Sequence, residues 1–176
     1  MTNPAPDPYG DLFIYYLEGC LKSGNSITDR SFIGNWEEDG YSFIDIGTGT
    51  GLLAIAAVKL GCKRALAVDL NHLAVKTAGE NIRLNGLEKR VLAIQGSADN
   101  YVDLPSDLVI SNIHYDVMKR LFRSDRLLPT QYVILSGLLR SQAAKVEDLL
   151  EQVSIRVLKK WDSEGTWYSY LGKVSC

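Results

Sequence analysis

The feature that most restricts the fold of this chain is an alternation of short apolar runs with helix-like segments. YSFIDI (41–46), ALAVD (65–69), VLAIQ (91–95), DLVIS (107–111) and QYVILS (131–136) are each brief and largely apolar. Runs of that length and character suit strands buried on both faces of a parallel sheet. Between them lie helical patterns: 50–60, apolar nearly all round, another after Asn71, and two more over roughly 113–124 and 138–152. In the segment after Asn71, that residue is a natural N-cap. Ala74, Val75, Ala78 and Ile82 share one face, and Asn85-Gly86 is a stop signal. Such alternation predicts βαβ units and a mostly parallel sheet with helices on both faces. The end of the pattern differs. SIRVLKK (154–160) and GTWYSYLGKV (165–174) are separated by WDSE alone. So short a link makes a hairpin and cannot hold a helical crossover, so the sheet finishes with an antiparallel strand. The expectation is an α/β, Rossmann-like chain with seven strands.

A length of 176 residues predicts one domain with a substantial core. Residues 1–10, rich in proline, read as a flexible lead-in. In 11–40, Asp11 would cap a helix carrying Leu12, Phe13, Tyr16, Leu17, Cys20 and Leu21, followed by a polar connection; 41–176 form the core. A formal net charge of −2 gives no long-range attraction to nucleic acid or anionic membrane, which argues against both as partners. Cys20, Cys62 and Cys176 show neither CxxC pairing nor histidine at ligand spacing, so no metal site is expected and the thiols read as reduced. No apolar run reaches the roughly 20 residues of a membrane span, and no signal peptide is visible, so the expected location is cytoplasmic.

The chemistry concentrates at the predicted strand ends. After the first strand comes DIGTGTGLLAIAAVKLG, with Asp45, Gly47, Thr48, Gly49 and Gly51. Gly47 and Gly49 fit a dinucleotide fingerprint, but its third glycine is replaced by Leu52, and no Gly-Lys-Ser/Thr of a phosphate loop follows. Asp69, followed by Leu70, ends the second strand. In a doubly wound sheet it stands beside the glycine loop, where a carboxylate can accept both hydroxyls of a ribose. Its alternative role is to cap the next helix. Ser97 and Ala98, after the third strand, could read an adenine edge or could simply be a strand exit. Asn112, Ile113, His114 and Tyr115 leave the fourth strand across the crevice. An amide and backbone carbonyls there can aim an amine, and aromatic neighbours can exclude water. His114 is a candidate base, although a lone histidine serves as readily as a packed or solvent-facing residue. The basic run KRLFRSDR (119–126) reads as a solvated helix face.

These elements in this order, with the antiparallel final strand, resemble the class I S-adenosylmethionine-dependent methyltransferases. DIGTGTGLLAIAAVKLG, VDL, ENIRLNG, SNI, ILSGLLRSQAAKV and EGTWYSYLGKV further resemble the PrmA family, which methylates amino groups of a large-subunit ribosomal protein. The resemblance implies S-adenosyl-L-methionine as cofactor. Asp45, Gly47, Thr48, Gly49 and Gly51 would surround its methionine end and ribose, and Asp69 with Leu70 would hold the ribose side. Ser97 and Ala98 would lie near adenine, and Asn112 would face the reactive methyl. Asn112, His114 and Tyr115 are the candidate catalytic residues. The methyl acceptor would be an amino group of a protein or small molecule. The family carries an N-terminal recognition domain, for which residues before 41 are too few, and a GTGTH-like loop where this chain offers PYGDLF (8–13). The resemblance therefore carries the cofactor but not the ribosomal substrate, and a partner subunit could supply recognition. A non-catalytic S-adenosyl-binding module is one alternative. A nucleic-acid methyltransferase is another, weakened because Ile113-His114 replaces both prolines of the usual Asn-Pro-Pro-Tyr.

Overall fold

A computed structural model describes residues 42–122 and 129–175. The expected helix from Asp11 and the connection after it lie outside the described residues. Seven strands form one sheet: β1 (Ser42–Ile46), β2 (Arg64–Asp69), β3 (Val91–Gln95), β4 (Ser106–Asn112), β5 (Thr130–Leu139), β6 (Ile155–Ser163) and β7 (Trp167–Val174). Their order is β3-β2-β1-β4-β5-β7-β6. The pairs from β3 through β5 are parallel, and β7 runs antiparallel to both neighbours. The predicted hairpin is thus β6–β7, with its second strand inserted between β5 and β6.

Four helices cover the two faces. On one, α1 (Leu52–Lys59) and α2 (His72–Leu84) pack over Phe43, Ala65, Ala67, Val91, Ile110 and Ile134. Leu53, Ala54, Ile55, Ala57 and Val58 of α1 are all buried, which explains why its sequence is apolar nearly all round. Asn71 caps α2 by accepting the Leu73 amide at 2.9 Å, and Asn85 is its C-cap, as the sequence predicts. On that helix Ala78 and Ile82 are buried, while Ala74 and Val75 are half-buried. On the other face, Met118 and Leu121 of α3 (Tyr115–Leu121) and Ala143, Val146 and Leu150 of α4 (Arg140–Gln152) cover Ile44, Ile46, Val68, Val109, Val133 and Leu135.

Two boundaries beside the crevice differ from expectation. α3 starts at Tyr115 because His114 serves as its N-cap. β5 runs to Leu139, past the predicted end at 136 and into the predicted helix at 138, because a register shift between Leu135 and Leu138 keeps it paired with β7. The strand order reverses between β1 and β4, so the loops leaving those two strands face each other across one crevice.

Candidate active site

The glycine loop is held from three sides. The amides of Gly47 and Thr48 both donate to the Val68 carbonyl, at 2.9 and 3.0 Å, and Gly51 donates to the Thr48 carbonyl. Asp69 at the tip of β2 accepts the Gly49 amide on one carboxylate oxygen and the Asn71 amide on the other, each at 2.9 Å. Asp69 therefore serves both the loop and the start of α2, and each oxygen retains a lone pair for a further donor. Asn81 of α2 donates to the Thr50 carbonyl at 2.8 Å and ties the loop from behind. A side chain at position 49 would meet nothing within 4 Å, so the space beside that glycine is open. Gly51 caps α1, and a methyl group added there would stand 3.1 Å from the Ala78 Cβ.

Beneath the loop Asp45 is fully buried. One of its oxygens accepts the Thr48 hydroxyl at 2.6 Å, and the other has no hydrogen-bond partner. Burial pushes this carboxyl up to about 6, against the opposing effect of the Thr48 bond. Asp45 and Asp69 place two acidic groups at the loop. A diphosphate would be repelled here, whereas a cationic ligand would compensate both carboxylates.

Leu70, just past Asp69, is 72% exposed. Ser97 donates its hydroxyl to Asp99 at 2.9 Å, and Asp99 also pairs with Arg120 of α3 at 3.2 Å. Ala98 opens the 3-10 turn Ala98–Asn100 and packs against the second core.

Across the crevice, Ile113 lies directly on Gly47, where any Cβ would overlap the Ile113 side chain. The two loops thus touch, and the glycine is required for that approach as well as for its φ of 75°. A cavity of about 360 Å³ opens at this end of β4 and β5, lined by Asn112, Ile113, His114, Gly137, Leu139, Gln142 and Trp167. None of these side chains carries a fixed charge. His114 lines the cavity while its ring accepts the Asp116 amide at 3.4 Å, and Tyr115 turns toward the second core. Sequence reasoning did not mark Gly137, Leu139, Gln142 and Trp167 as site residues. An isolated glycine within a strand pattern was the available signal for the first of them, since it suggests a bulge. Among the described residues no cluster of His, Cys, Asp or Glu could hold a metal, and no helix is long and apolar enough to cross a membrane.

A doubly wound sheet with an antiparallel seventh strand, a GxGxG loop over a buried aspartate and a second aspartate at the β2 tip together define the class I, Rossmann-like methyltransferase fold. The family described as "Ribosomal protein L11 methyltransferase (PrmA)" matches residues 19–174, and the chain belongs to that family. The ribosomal protein L11 methyltransferase of Desulforamulus reducens is 36% identical over 166 residues, covering 93% of this chain and 48% of that protein. The chain spans about half the length of the curated relatives it matches. Among solved structures, the ribosomal protein L11 methylase of Lactobacillus delbrueckii subsp. bulgaricus superimposes with a TM-score of 0.69 at 31% identity, covering 80% of this chain and 72% of that one. TrmK of M. capricolum, solved with S-adenosyl-homocysteine, shares the fold at a TM-score of 0.64 and 16% identity, over 77% of this chain and 62% of that one.

Proposed function

We propose that this chain is an S-adenosyl-L-methionine-dependent methyltransferase domain that delivers the methyl group to an amino group of a protein. The observation that carries the reading is Asp69. Its carboxylate fixes the glycine loop through Gly49 yet keeps lone pairs at the crevice rim, as ribose hydroxyls require. The pairing of Asp45 and Asp69 with open space at Gly49 suits a cofactor that carries a sulfonium and an ammonium charge. The names of the curated relatives, and the S-adenosyl-homocysteine held by TrmK, support the same assignment.

When bound, the cofactor supplies a methyl group activated by its sulfonium. The residues of this chain orient and desolvate. Asp69 would accept the ribose hydroxyls, Leu70 would cover one side of the nucleoside, and the backbone around Ser97 and Ala98 would border adenine. Asp45 would face the methionine end. Asn112 would present its amide to the acceptor amine in the cavity beside Trp167 and His114. An attacking lysine must enter as the free base. No carboxylate lines the cavity, the nearby Asp116 pairing instead with the His114 ring at 3.4 Å, so the free amine loses little there by comparison with the ammonium. Positioning of the amine in line with the methyl then supplies most of the acceleration.

Titration calorimetry with S-adenosylmethionine, S-adenosylhomocysteine and NAD tests the cofactor. Binding of the S-adenosyl compounds without NAD is expected, and tight NAD binding alone would sink the reading. Labelled methyl transfer onto ribosomal protein L11, and onto protein, RNA and small-molecule fractions of a lysate, tests the acceptor. Label in protein supports the proposal, and label confined to RNA selects a nucleic-acid acceptor instead. Transfer that depends on a co-purifying second chain would instead assign recognition of the acceptor to a partner subunit.

A further inference from the structure

The wall behind Asn112 is irregular in a way that the sheet itself does not require. Leu135 pairs with Tyr170 and Leu138 with Tyr168, so Ser136 and Gly137 stand opposite the single residue Ser169. That is a β-bulge, and Gly137 takes it with a φ of 76°, in the left-handed region. The bulge is pinned to β7 by a buried hydrogen bond between the Ser136 and Ser169 hydroxyls, 2.8 Å long. Beyond it the strand resumes its pairing, which sets Leu139 opposite Trp167, and both line the cavity.

The bulge also governs Asn112, whose partner on β5 is Ser136. The Asn112 Oδ1 lies so close to Gly137 that an added Cβ would overlap it. No hydrogen bond among the described residues fixes the Asn112 amide, so the bare face of Gly137 is what leaves room for its position. The glycine thus meets two independent demands, a positive φ and the absence of a Cβ.

We infer that Gly137 is a positioning residue for methyl transfer, setting the orientation of the Asn112 amide through a bulge locked by Ser136 and Ser169. This rests on the reading above that Asn112 faces the acceptor. Gly137 does not touch the acceptor through a side chain, and its effect passes through Asn112. Gly137→Ala drives a methyl group onto Oδ1, and the amide must turn away from its seat.

The test combines kinetics with a spectroscopic signature on the whole chain, using labelled S-adenosylmethionine and the acceptor that takes label in the transfer assay above. Gly137→Ala is expected to lower kcat at least tenfold while S-adenosylhomocysteine affinity stays within twofold. Gly137→Ala combined with Asn112→Ala is expected to be no slower than Asn112→Ala alone, the non-additivity of residues acting through one another. The side-chain amide resonance of Asn112, identified by its loss in Asn112→Ala, should move in Gly137→Ala, while the backbone amides of Gly47 and Gly49 stay in place. Should Gly137→Ala fail to fold, Ser169→Ala loosens the same bulge without adding bulk. It should lower kcat several-fold at unchanged cofactor affinity. Losses that multiply in the double variant, an unmoved Asn112 resonance, or wild-type turnover in Ser169→Ala would overturn the inference. Wild-type turnover in Asn112→Ala would overturn the reading beneath it, and this inference with it.

Discussion

Asp45 pairs with Ala67, and Asp69 lies just beyond it at the end of β2, yet the two carboxylates meet opposite environments. Asp69 donates nothing and accepts two amides at the rim. Replacing it with alanine removes the proposed ribose acceptor and frees the Gly49 and Asn71 amides together. Calorimetry of Asp69→Ala should therefore show S-adenosylhomocysteine affinity at least tenfold weaker, about 1.4 kcal/mol, with the circular dichroism of the fold retained. Unchanged affinity would exclude Asp69 from the ribose. Asp45 is fully buried, away from solvent. Its ordinary value of 3.8 rises to about 6 in the fold because burial penalises the carboxylate. Between those two values the folded chain keeps a proton that the unfolded chain has released. Stability of the ligand-free chain therefore falls as pH rises through that window and levels off above it, by up to about 3 kcal/mol. Asn in place of Asp45 still accepts from Thr48 but cannot titrate. Urea unfolding of Asp45→Asn between pH 4 and 7 should lose this slope, and a slope equal to that of the parent would assign it to other groups.

At the scale of elements, the terminal hairpin is fastened to α4 by a compact polar cluster. Tyr170 of β7 donates its hydroxyl to Glu147 at 2.9 Å and to the Ala143 carbonyl at 3.3 Å, while Lys160 of β6 donates to the same Glu147 oxygen at 2.6 Å. The Lys160 bond, strengthened by that of Tyr170, holds the Glu147 carboxyl below its usual range despite some burial. Tyr170 is buried, so Tyr170→Phe removes the hydroxyl that bonds Glu147 and should cost about 1 kcal/mol in chemical unfolding. No change would mean that the cluster only fills space. Elements of this kind were largely legible beforehand. Strand–helix alternation follows from which faces are buried, and burial is written into runs such as VLAIQ and into the all-round apolar α1. Asn71 announced the start of α2 because a capping side chain acts within three residues. The glycine at 137 was a visible signal, but the bulge it serves could not be placed, because its cause is a pairing between β5 and β7, which lie far apart in the chain. The cavity walls at Gln142 and Trp167 were missed for the same reason. They become neighbours of Asn112 only once β7 enters beside β5. His114 was legible as a residue of this loop, but its use as the cap of α3 depends on the geometry of Asp116 behind it.

For the whole molecule, ligand and fold are linked through the crevice, since α2, the glycine loop and the β4 exit each hold part of it. S-adenosylhomocysteine at 100 times its Kd should raise the unfolding free energy by about 2.7 kcal/mol, read as a shift in the urea midpoint, whereas NAD should leave it unchanged. The arrangement of the last two strands bears on how such a molecule comes into being. β7 lies between β5 and β6, so the strand made second is the one that joins the sheet first. A ribosome therefore delivers β6 before β7, the strand it pairs with, exists. Until β7 has been synthesised and slotted against β5, β6 has no backbone partner and the β5 edge stays open to any other strand. The bulge, the Trp167 wall and the seat of Asn112 all wait for that insertion. In this fold the crevice is assembled out of the order of translation: the glycine loop and the β2 tip can form on the nascent chain before the cavity beside Asn112 exists.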